Sequence, residues 1–122
     1  MNQHVGLIVE DDLAMAEDLA EVLRSLEYAF VTVDNKRDAL AAVRGSPFCF
    51  ILLDLHIKLD NESIRGHFDH GRSLLREIRA MYSDHTGAGW SLPILVVSGH
   101  AREVDTAVDV MRDGADHVIQ KP

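Results

Sequence analysis

The sequence has a single cysteine, Cys49, and no stretch that resembles a secretion signal or a membrane span. One cysteine cannot form a disulfide within the chain, so a reducing, cytoplasmic location is expected. Every apolar run is far shorter than the about 20 residues that cross a bilayer, so no membrane association is expected. Basic residues are also scarce, since 12 Lys and Arg against 20 Asp and Glu give a net charge of -8. This charge disfavours direct binding of the domain to nucleic acid phosphates.

The composition indicates one folded domain over residues 1–122. Hydrophobic residues make up 47% of the chain and charged residues 26%, as in an ordinary globular domain with its own core. Cys49 lies within an unbroken apolar run, residues 48–53, that ends on Asp54. A short run of this kind predicts a buried strand, so we expect Cys49 to be part of the core rather than a redox sensor.

Short apolar runs alternate with stretches of helical periodicity along the whole chain. The predicted strands are residues 5–9, 29–33, 48–53, 94–97 and 118–119. The predicted helices are 13–26 after an N-cap at Asp12, a segment from Asp34 or Asn35 to Gly45, one from Arg72, and one that stops at Gly114. This order predicts a parallel sheet with helices on both faces. A fifth helix is expected after the last strand, beside the first helix, and it is absent from the sequence up to Pro122.

Helical spacing also predicts which side chains face the core. On the first helix these are Ala16, Leu19, Ala20, Leu23 and Leu26. On the last they are Val104, Ala107, Val108 and Met111.

Polar side chains follow four predicted strands directly or within two residues. They are Glu10 and Asp11, Asp54, Ser98, and Lys121. Because the carboxyl ends of parallel strands meet at one edge, we expect these side chains to lie together. Three neighbouring carboxylates repel one another unless a cation intervenes, and oxygen ligands suit Mg²⁺. Together with a lysine and a hydroxyl, such a site has what phosphoryl transfer needs, with a carboxylate as a candidate nucleophile.

Residues 56–71 form a long polar connection after the central strand. Long loops in compact domains are usually functional or mobile. The segment contains five candidate metal ligands, His56, Asp60, His67, Asp69 and His70. Their spacing matches no known transition-metal motif, so a solvated loop is the favoured interpretation.

In these features the sequence resembles the receiver domain of two-component response regulators. The resemblance covers essentially the whole chain and rests on five stretches in order, residues 7–11, 52–54, 96–99, 114–116 and 121–122. It implies a flavodoxin-like (CheY-like) three-layer sandwich with a five-stranded parallel sheet in the order 2-1-3-4-5. It also implies a switch that catalyses its own phosphorylation and dephosphorylation. The expected donor is a sensor histidine kinase or a histidine phosphotransfer protein, and the output is altered binding to a partner or effector domain.

The resemblance implies a magnesium site around the phosphorylated residue. Asp54 would accept the phosphoryl group and contact the metal. Asp11 would bind Mg²⁺ directly and Glu10 through water. The backbone carbonyl of His56 would be a further ligand.

The resemblance assigns the remaining polar residues to the phosphoryl group itself. Ser98 would hydrogen-bond it and move toward it, and Lys121 would form an ion pair with it. Gly99 would leave room beside it, and the Lys121–Pro122 peptide would be cis. His56 and His100 occupy positions that line water access in this family, so we hypothesise that they tune dephosphorylation, although ordinary exposed loop residues are the favoured interpretation.

Three departures from the family pattern stand out. The distance from Asp54 to Gly71 is about twice the usual one, and Lys58 stands near the place of the family's proline. The position of the family's switch aromatic is Val118, so the usual aromatic switch cannot operate. The absent fifth helix often contributes to a dimer face, so a homodimer is left open.

Two alternatives remain. One is a non-phosphorylated pseudo-receiver that serves as a binding module, which Val118 and the long connection favour. The other is an aspartyl-nucleophile phosphatase, which would require an acid two residues after the nucleophile, where this chain has His56.

Overall fold

The computed structural model of the protein describes residues 4–83, 92–99 and 104–121. In these residues, strands and helices alternate along the chain. The strands are β1 (Val5–Val9), β2 (Ala29–Val33), β3 (Phe50–Leu53), β4 (Ile94–Ser98) and β5 (His117–Gln120). The helices are α1 (Leu13–Ser25), α2 (Lys36–Gly45), α3 (Phe68–Ser83) and α4 (Val104–Asp113).

The five strands form one parallel sheet in the order β2-β1-β3-β4-β5. This confirms the predicted flavodoxin-like fold. The order changes direction between β1 and β3, where Leu7 pairs with Ile51 and Val9 with Leu53. In open α/β sheets, ligands bind outside the carboxyl ends of the strands at such a point.

Side-chain alternation along the strands divides the interior into two cores. Leu7 and Val9 belong to a large cluster that includes buried residues of α2, α3 and α4, whereas Ile8 packs with Ala20 and Leu23 of α1. Because successive side chains of a strand point to opposite faces, α1 covers one face of the sheet and the other helices cover the second face. The result is the expected three-layer sandwich.

The helix ends follow the predicted capping. The carboxylate of Asp12 accepts hydrogen bonds from the backbone N–H groups of Ala14 and Met15, at 3.0 and 3.2 Å. Asn35 rather than Asp34 caps α2 and is completely buried. Gly114 has a φ of 122°, which only glycine adopts without strain, so it ends α4 as predicted.

Cys49 is exposed, so its predicted place in the core is wrong. The central strand begins at Phe50, one residue later than Cys49. The Cys49 N–H donates to the carbonyl of Val5 at 2.8 Å, so Cys49 lies at the amino end of the sheet, just before the strand enters the core. Phe48, just before it, is buried instead.

Several predicted helical positions also differ from the structure. Leu26 is 55% exposed because it caps the end of α1 rather than facing the sheet. Val108 and Met111 are about half exposed, and Val110 is the buried one among the described side chains of α4. Of the described elements, β5 and α3 make the main contacts with this helix, so the described part of α4 buries a narrow stripe. Helix α3 begins at Phe68, four residues before its predicted start at Arg72.

The connection at 56–71 is anchored to the domain along its backbone. Ile57 is completely buried and forms an antiparallel bridge with His67, whose N–H donates to the Ile57 carbonyl at 2.8 Å. The carbonyls of Lys58 and Leu59 accept hydrogen bonds from the first two residues of α2. The expectation of a solvated loop therefore holds for the exposed side chains of His56 and His67 but is wrong for the backbone.

None of the helices in the described part of the chain has the length and apolar character needed to cross a membrane.

Candidate functional site

Three acidic side chains meet at the carboxyl edge of the sheet. Glu10 and Asp11 follow β1, and Asp54 follows β3. One carboxylate oxygen from each lies within 4.8 Å of the others. Glu10 is 1% exposed and Asp54 is 5% exposed, while Asp11 is partly buried. The sheet thus holds three like charges together, two of them away from water.

The backbone fixes where these acids point. The N–H of Asp54 donates to the carbonyl of Val9 at 2.8 Å, and the N–H of Glu10 donates to the carbonyl of Val33 at 3.0 Å. These bonds continue the sheet ladders by one residue beyond the strands. The backbone positions of Glu10 and Asp54 therefore follow from the strand pairing.

Lys121 supplies the positive charge of the site. Its Nζ donates to Asp54 Oδ2 at 3.2 Å and lies 3.1 Å from Glu10 Oε2. Burial of the ammonium group lowers the pKa of Lys121, but the charges of Asp54 and Glu10 outweigh this effect and leave the pKa above its usual value. Lys121 is therefore a firmly protonated cation.

The acids respond to burial in the opposite way. Burial, and then the charge of Asp54, raise the pKa of Glu10 from 4.5 to about 7. The same two causes raise the pKa of Asp11. One lysine is thus too little positive charge for three ionised carboxylates at neutral pH.

The donor set fits a hard divalent cation. Glu10 Oε2 is buried and accepts no hydrogen bond from the described residues. Lys121 Nζ lies 3.1 Å from this oxygen and forms an ion pair with it. A buried oxygen without a hydrogen bond is costly, and the single ammonium group of Lys121, which is shared with Asp54, offsets only part of this cost. Carboxylate oxygens from two strand ends are ligands that Mg²⁺ prefers. Glu10, Asp11 and Asp54 would hold the metal.

Ser98, His56 and Gly99 lie at the same edge of the sheet, whereas Val118 lies within β5. Ser98 ends β4, is 2% exposed, and accepts a backbone hydrogen bond from Lys121 at 2.9 Å. The N–H of His56 lies 3.4 Å from Asp54 Oδ1, a weak contact. A methyl group on Gly99 would meet no atom within 4 Å. Val118 packs against the large core.

Two predicted features lie outside the described residues. They are His100 and the Lys121–Pro122 peptide with its predicted cis geometry.

Gly66 is a site residue that the sequence argument did not identify. A Cβ atom at this position would lie 2.6 Å from Asp11 Oδ2 and 2.9 Å from His56 Nδ1. The connection after β3 therefore passes directly against Asp11, and a larger residue at position 66 would displace the side chains of Asp11 and His56. A glycine within an otherwise polar insertion was the available signal.

A pocket of about 650 Å³ opens beside this glycine. We call it the histidine pocket. Its lining residues are His56, Arg65, Gly66, His67 and His70.

The comparisons with known proteins agree on one family. The family model for the response regulator receiver domain matches residues 7–122. The response regulator protein FleR of Pseudomonas aeruginosa is 32% identical over 116 residues, which are 95% of this chain and 21% of FleR. The chain therefore spans about a fifth of the length of this curated relative.

Solved structures of similar chains share the fold. A response regulator of Burkholderia pseudomallei, crystallised with a phosphorylated aspartic acid, a calcium ion and citrate, is 30% identical with a TM-score of 0.76; the match covers 98% of this chain and 61% of that one. The receiver domain of the sensor histidine kinase PA1611 of Pseudomonas aeruginosa PAO1, with a magnesium ion coordinated in its active site cleft, is 24% identical with a TM-score of 0.74, over 99% and 87% of the two chains.

The parallel sheet in the order 2-1-3-4-5, the acids at its carboxyl edge and the match over residues 7–122 lead to one conclusion. This chain belongs to the receiver domain family of two-component response regulators.

Proposed function

We propose that this domain accepts a phosphoryl group on Asp54 from the phosphohistidine of a histidine kinase or phosphotransfer protein, in a reaction that requires Mg²⁺. The observation that carries the proposal is the position of Asp54. It is a buried carboxylate within 3.2 Å of a protonated lysine and beside two further acids that could hold a metal. An ion pair that served stability alone would need neither of the additional acids.

Each residue of the site has a separate role in the proposed reaction. An oxygen of Asp54 attacks the phosphorus, the phosphorus–nitrogen bond of the donor breaks, and its electron pair remains on the donor's imidazole nitrogen. Lys121, already protonated, neutralises charge on the phosphoryl oxygens. Magnesium bound by Glu10, Asp11 and Asp54 would supply further positive charge for those oxygens. The hydroxyl of Ser98 and the carbonyl of His56 are proposed as additional contacts.

Two similar proteins support this assignment. The Burkholderia pseudomallei response regulator carries a phosphorylated aspartic acid and a calcium ion, and the PA1611 receiver domain carries magnesium in its active site cleft. Phosphorylation of Asp54 would shift an equilibrium between two arrangements of the segment after β4 and thereby change partner binding. With Val118 at the usual aromatic position, the shift would not depend on a swinging aromatic ring.

Intact mass spectrometry after incubation with acetyl phosphate tests the proposal. We expect a gain of one phosphoryl group that requires Mg²⁺ and is absent from the Asp54→Asn variant. If folded, Mg²⁺-binding protein gains no mass and also fails to bind beryllofluoride, the proposal is wrong. The beryllofluoride measurement separates true inactivity from rapid loss of phosphate.

A pseudo-receiver that only binds a partner is the second candidate. The observation in its favour is the 56–71 connection, in which Gly66 lies close to the carboxylate of Asp11. The test is to measure partner binding by the wild type and by Asp54→Asn, each with and without acetyl phosphate. Equal affinities in all four cases would favour this candidate.

A further inference from the structure

We propose that the 56–71 connection is a contact surface between two copies of this chain. In this contact the tip of the connection, Ile64 and Arg65, docks in a pocket beside α2 of the other copy, and the second tip docks in the same way. The contact uses none of the acids at the carboxyl edge of the sheet, so it does not depend on the proposed function.

The tip presents an apolar side chain to solvent on a fixed backbone. Ile64 is 92% exposed, the highest exposure among the large apolar side chains that the structure describes. On one side of it, the N–H of Ser63 donates to the carboxylate of Asp60 at 3.0 Å. On the other side, the N–H of His67 donates to the carbonyl of the buried Ile57 at 2.8 Å. An apolar group held in place in this way loses little further freedom when it docks.

A pocket of about 260 Å³ lies where the connection meets α2. We call it the α2 pocket, and its lining residues are Lys36, Arg37, Leu40, Leu59 and Asp60. The charged group of Lys36 is paired with Glu77, and that of Arg37 donates to Asn61, so their methylene stems and the two leucines make the lining mostly apolar. Pockets for drug-sized ligands begin at about 300 Å³, so this smaller one suits a single apolar side chain.

The charges beside the tip and the pocket are complementary. The guanidinium of Arg65 forms no ion pair or hydrogen bond with the described residues. At the pocket, Asp60 Oδ1 accepts the hydrogen bonds of the turn, and Asp60 Oδ2 has neither kind of partner in the same part of the chain. Docking of Ile64 between Leu40 and Leu59 would therefore bring an unpaired guanidinium to an unpaired carboxylate oxygen.

The tip and the α2 pocket are neighbours on the surface of one copy. Asp60 belongs to the pocket lining and also accepts the hydrogen bonds of the turn that leads to Ile64. Arg37, also in the lining, donates a hydrogen bond to Asn61 in that turn. A two-fold axis beside such a pair places each tip over the pocket of the other copy, so both contacts form together. The result is a closed dimer with no free tip or pocket for a third copy.

The net charge of -8 on each copy opposes this association. At about 0.15 M salt the screening length is about 8 Å, which suppresses the long-range repulsion more than the contacts within the interface. Two contacts of this size are at the small end of specific interfaces, below about 1,200 Å² of buried surface. We therefore expect a weak dimer, with a Kd on the order of 100 µM.

Sedimentation equilibrium at about 0.15 M salt, up to about 1 mM protein, tests the proposal. Ile64→Ser should weaken the dimer at least about tenfold, because each dimer loses two apolar contacts. Leu13→Ser is the matched control, since Leu13 is 83% exposed at the start of α1 and should not affect Kd. An unchanged Kd in Ile64→Ser, equal effects of both substitutions, or assembly beyond a dimer would overturn the proposal. A wild type that stays monomeric would also overturn it and leave the pocket to a different protein or to none.

Charge reversal tests the proposed ion pair. Arg65→Glu should weaken the dimer about fivefold or more, because it places a carboxylate against Asp60. Arg44→Glu, at the exposed end of α2, changes the net charge by the same amount and controls for the overall repulsion between copies. Equal weakening by the two substitutions would show that Arg65 makes no specific contact.

Isotope-filtered NMR identifies the surfaces directly. In a mixture of labelled and unlabelled protein, only contacts between copies are detected. We expect cross-peaks from the methyl groups of Ile64 to those of Leu40 or Leu59. Cross-peaks between copies that involve other surfaces, with none from Ile64, would overturn the proposal.

Discussion

The charges around Asp54 do not balance within the described chain. Three carboxylates approach within 4.8 Å, and the ammonium group of Lys121 is the only cation that is hydrogen-bonded to them in the described residues. Raised pKa values of Glu10 and Asp11 are the electrostatic result. A bound divalent cation would offset the excess negative charge, so that Glu10 and Asp11 could both stay ionised at neutral pH.

Replacing Lys121 with glutamine should strengthen Mg²⁺ binding severalfold while it slows phosphorylation. The ammonium group opposes a metal cation electrostatically but neutralises the phosphoryl oxygens during transfer. Calorimetric titration with Mg²⁺ and mass spectrometry measure the two effects. Lys36→Gln is the control, since it removes an equal charge whose partner is Glu77, 2.6 Å away on α3. Weaker Mg²⁺ binding in Lys121→Gln would contradict this account of the site.

The metal-free protein should lose stability as pH rises toward 7, relative to a Glu10→Gln variant. The pKa of Glu10 is raised from 4.5 to about 7 on folding, so the folded state binds the proton more tightly. Its contribution is complete below about pH 4.5 and is lost as pH rises through about 7, by up to about 3 kcal/mol. Urea unfolding at several pH values measures the difference between the two proteins. A difference that stays constant from pH 5 to 8 would show that Glu10 does not titrate in this way.

At the scale of elements, α3 packs closely against the chain that leaves the central strand. The N–H of Gly71 donates to the carbonyl of Leu55 at 3.0 Å, so the first turn of α3 lies against the residue that follows Asp54. A Cβ atom at Gly71 would lie only 2.3 Å from Leu55 Cα. Since these are backbone atoms, an added methyl group cannot be accommodated unless the backbone of Leu55 moves, and Asp54 with it.

Gly71→Ala should therefore lower the free energy of unfolding by about 2–3 kcal/mol. It should also weaken Mg²⁺ binding, because Asp54 moves with Leu55. Gly45→Ala is the matched control, since a Cβ there meets no atom within 4 Å and alanine favours the helix by up to about 1 kcal/mol. Chemical denaturation of both variants tests this, and equal stability of the two would contradict the packing described here.

Arg79 joins three elements at the other end of the sheet. From α3, its guanidinium donates to the carbonyls of Gly114 and Leu92 at 2.6 and 2.5 Å and to Asp116 Oδ2 at 2.7 Å. Asp116 in turn accepts from the N–H of Ile94, the first residue of β4. The planar guanidinium fits several acceptors at once, which an ammonium group cannot reproduce.

Arg79→Lys should cost about 1–3 kcal/mol of stability. The same substitution at Arg76 should cost less than about 0.5 kcal/mol, because this residue is half exposed and makes one long contact at 3.4 Å. Thermal unfolding of the two variants compares them. If Arg76→Lys lowers the stability as much as Arg79→Lys does, the hydrogen bonds of Arg79 contribute little to the stability of the domain.

At the scale of the whole molecule, sequence periodicity predicted the sheet and the convergence of its polar ends. Strands and helices alternate along the chain, and candidate site residues follow β1, β3 and β5, so the parallel topology brings Glu10, Asp11, Asp54 and Lys121 together. These predictions succeeded because they depend on local pattern and on the handedness of crossovers.

The features that sequence could not predict depend on packing between distant segments. The exposure of Cys49, the narrow buried stripe of α4 and the approach of Gly66 to Asp11 each require knowing which element lies opposite. The histidine pocket has the same origin, because the bridge between Ile57 and His67 folds the insertion back on itself. Hydrophobic periodicity contains no information on such contacts.

The central claim is that Asp54, and neither of its acidic neighbours, accepts the phosphoryl group. The most direct test is to phosphorylate the protein with acetyl phosphate and Mg²⁺, reduce it with borohydride, and sequence the peptides by mass spectrometry. An acyl phosphate is reduced to an alcohol, so phosphorylated aspartate becomes homoserine at its own position. We predict homoserine at position 54 only. Reduction at Glu10 or Asp11, or no reduced residue in protein that has bound Mg²⁺, would show that Asp54 is not the phosphoryl acceptor.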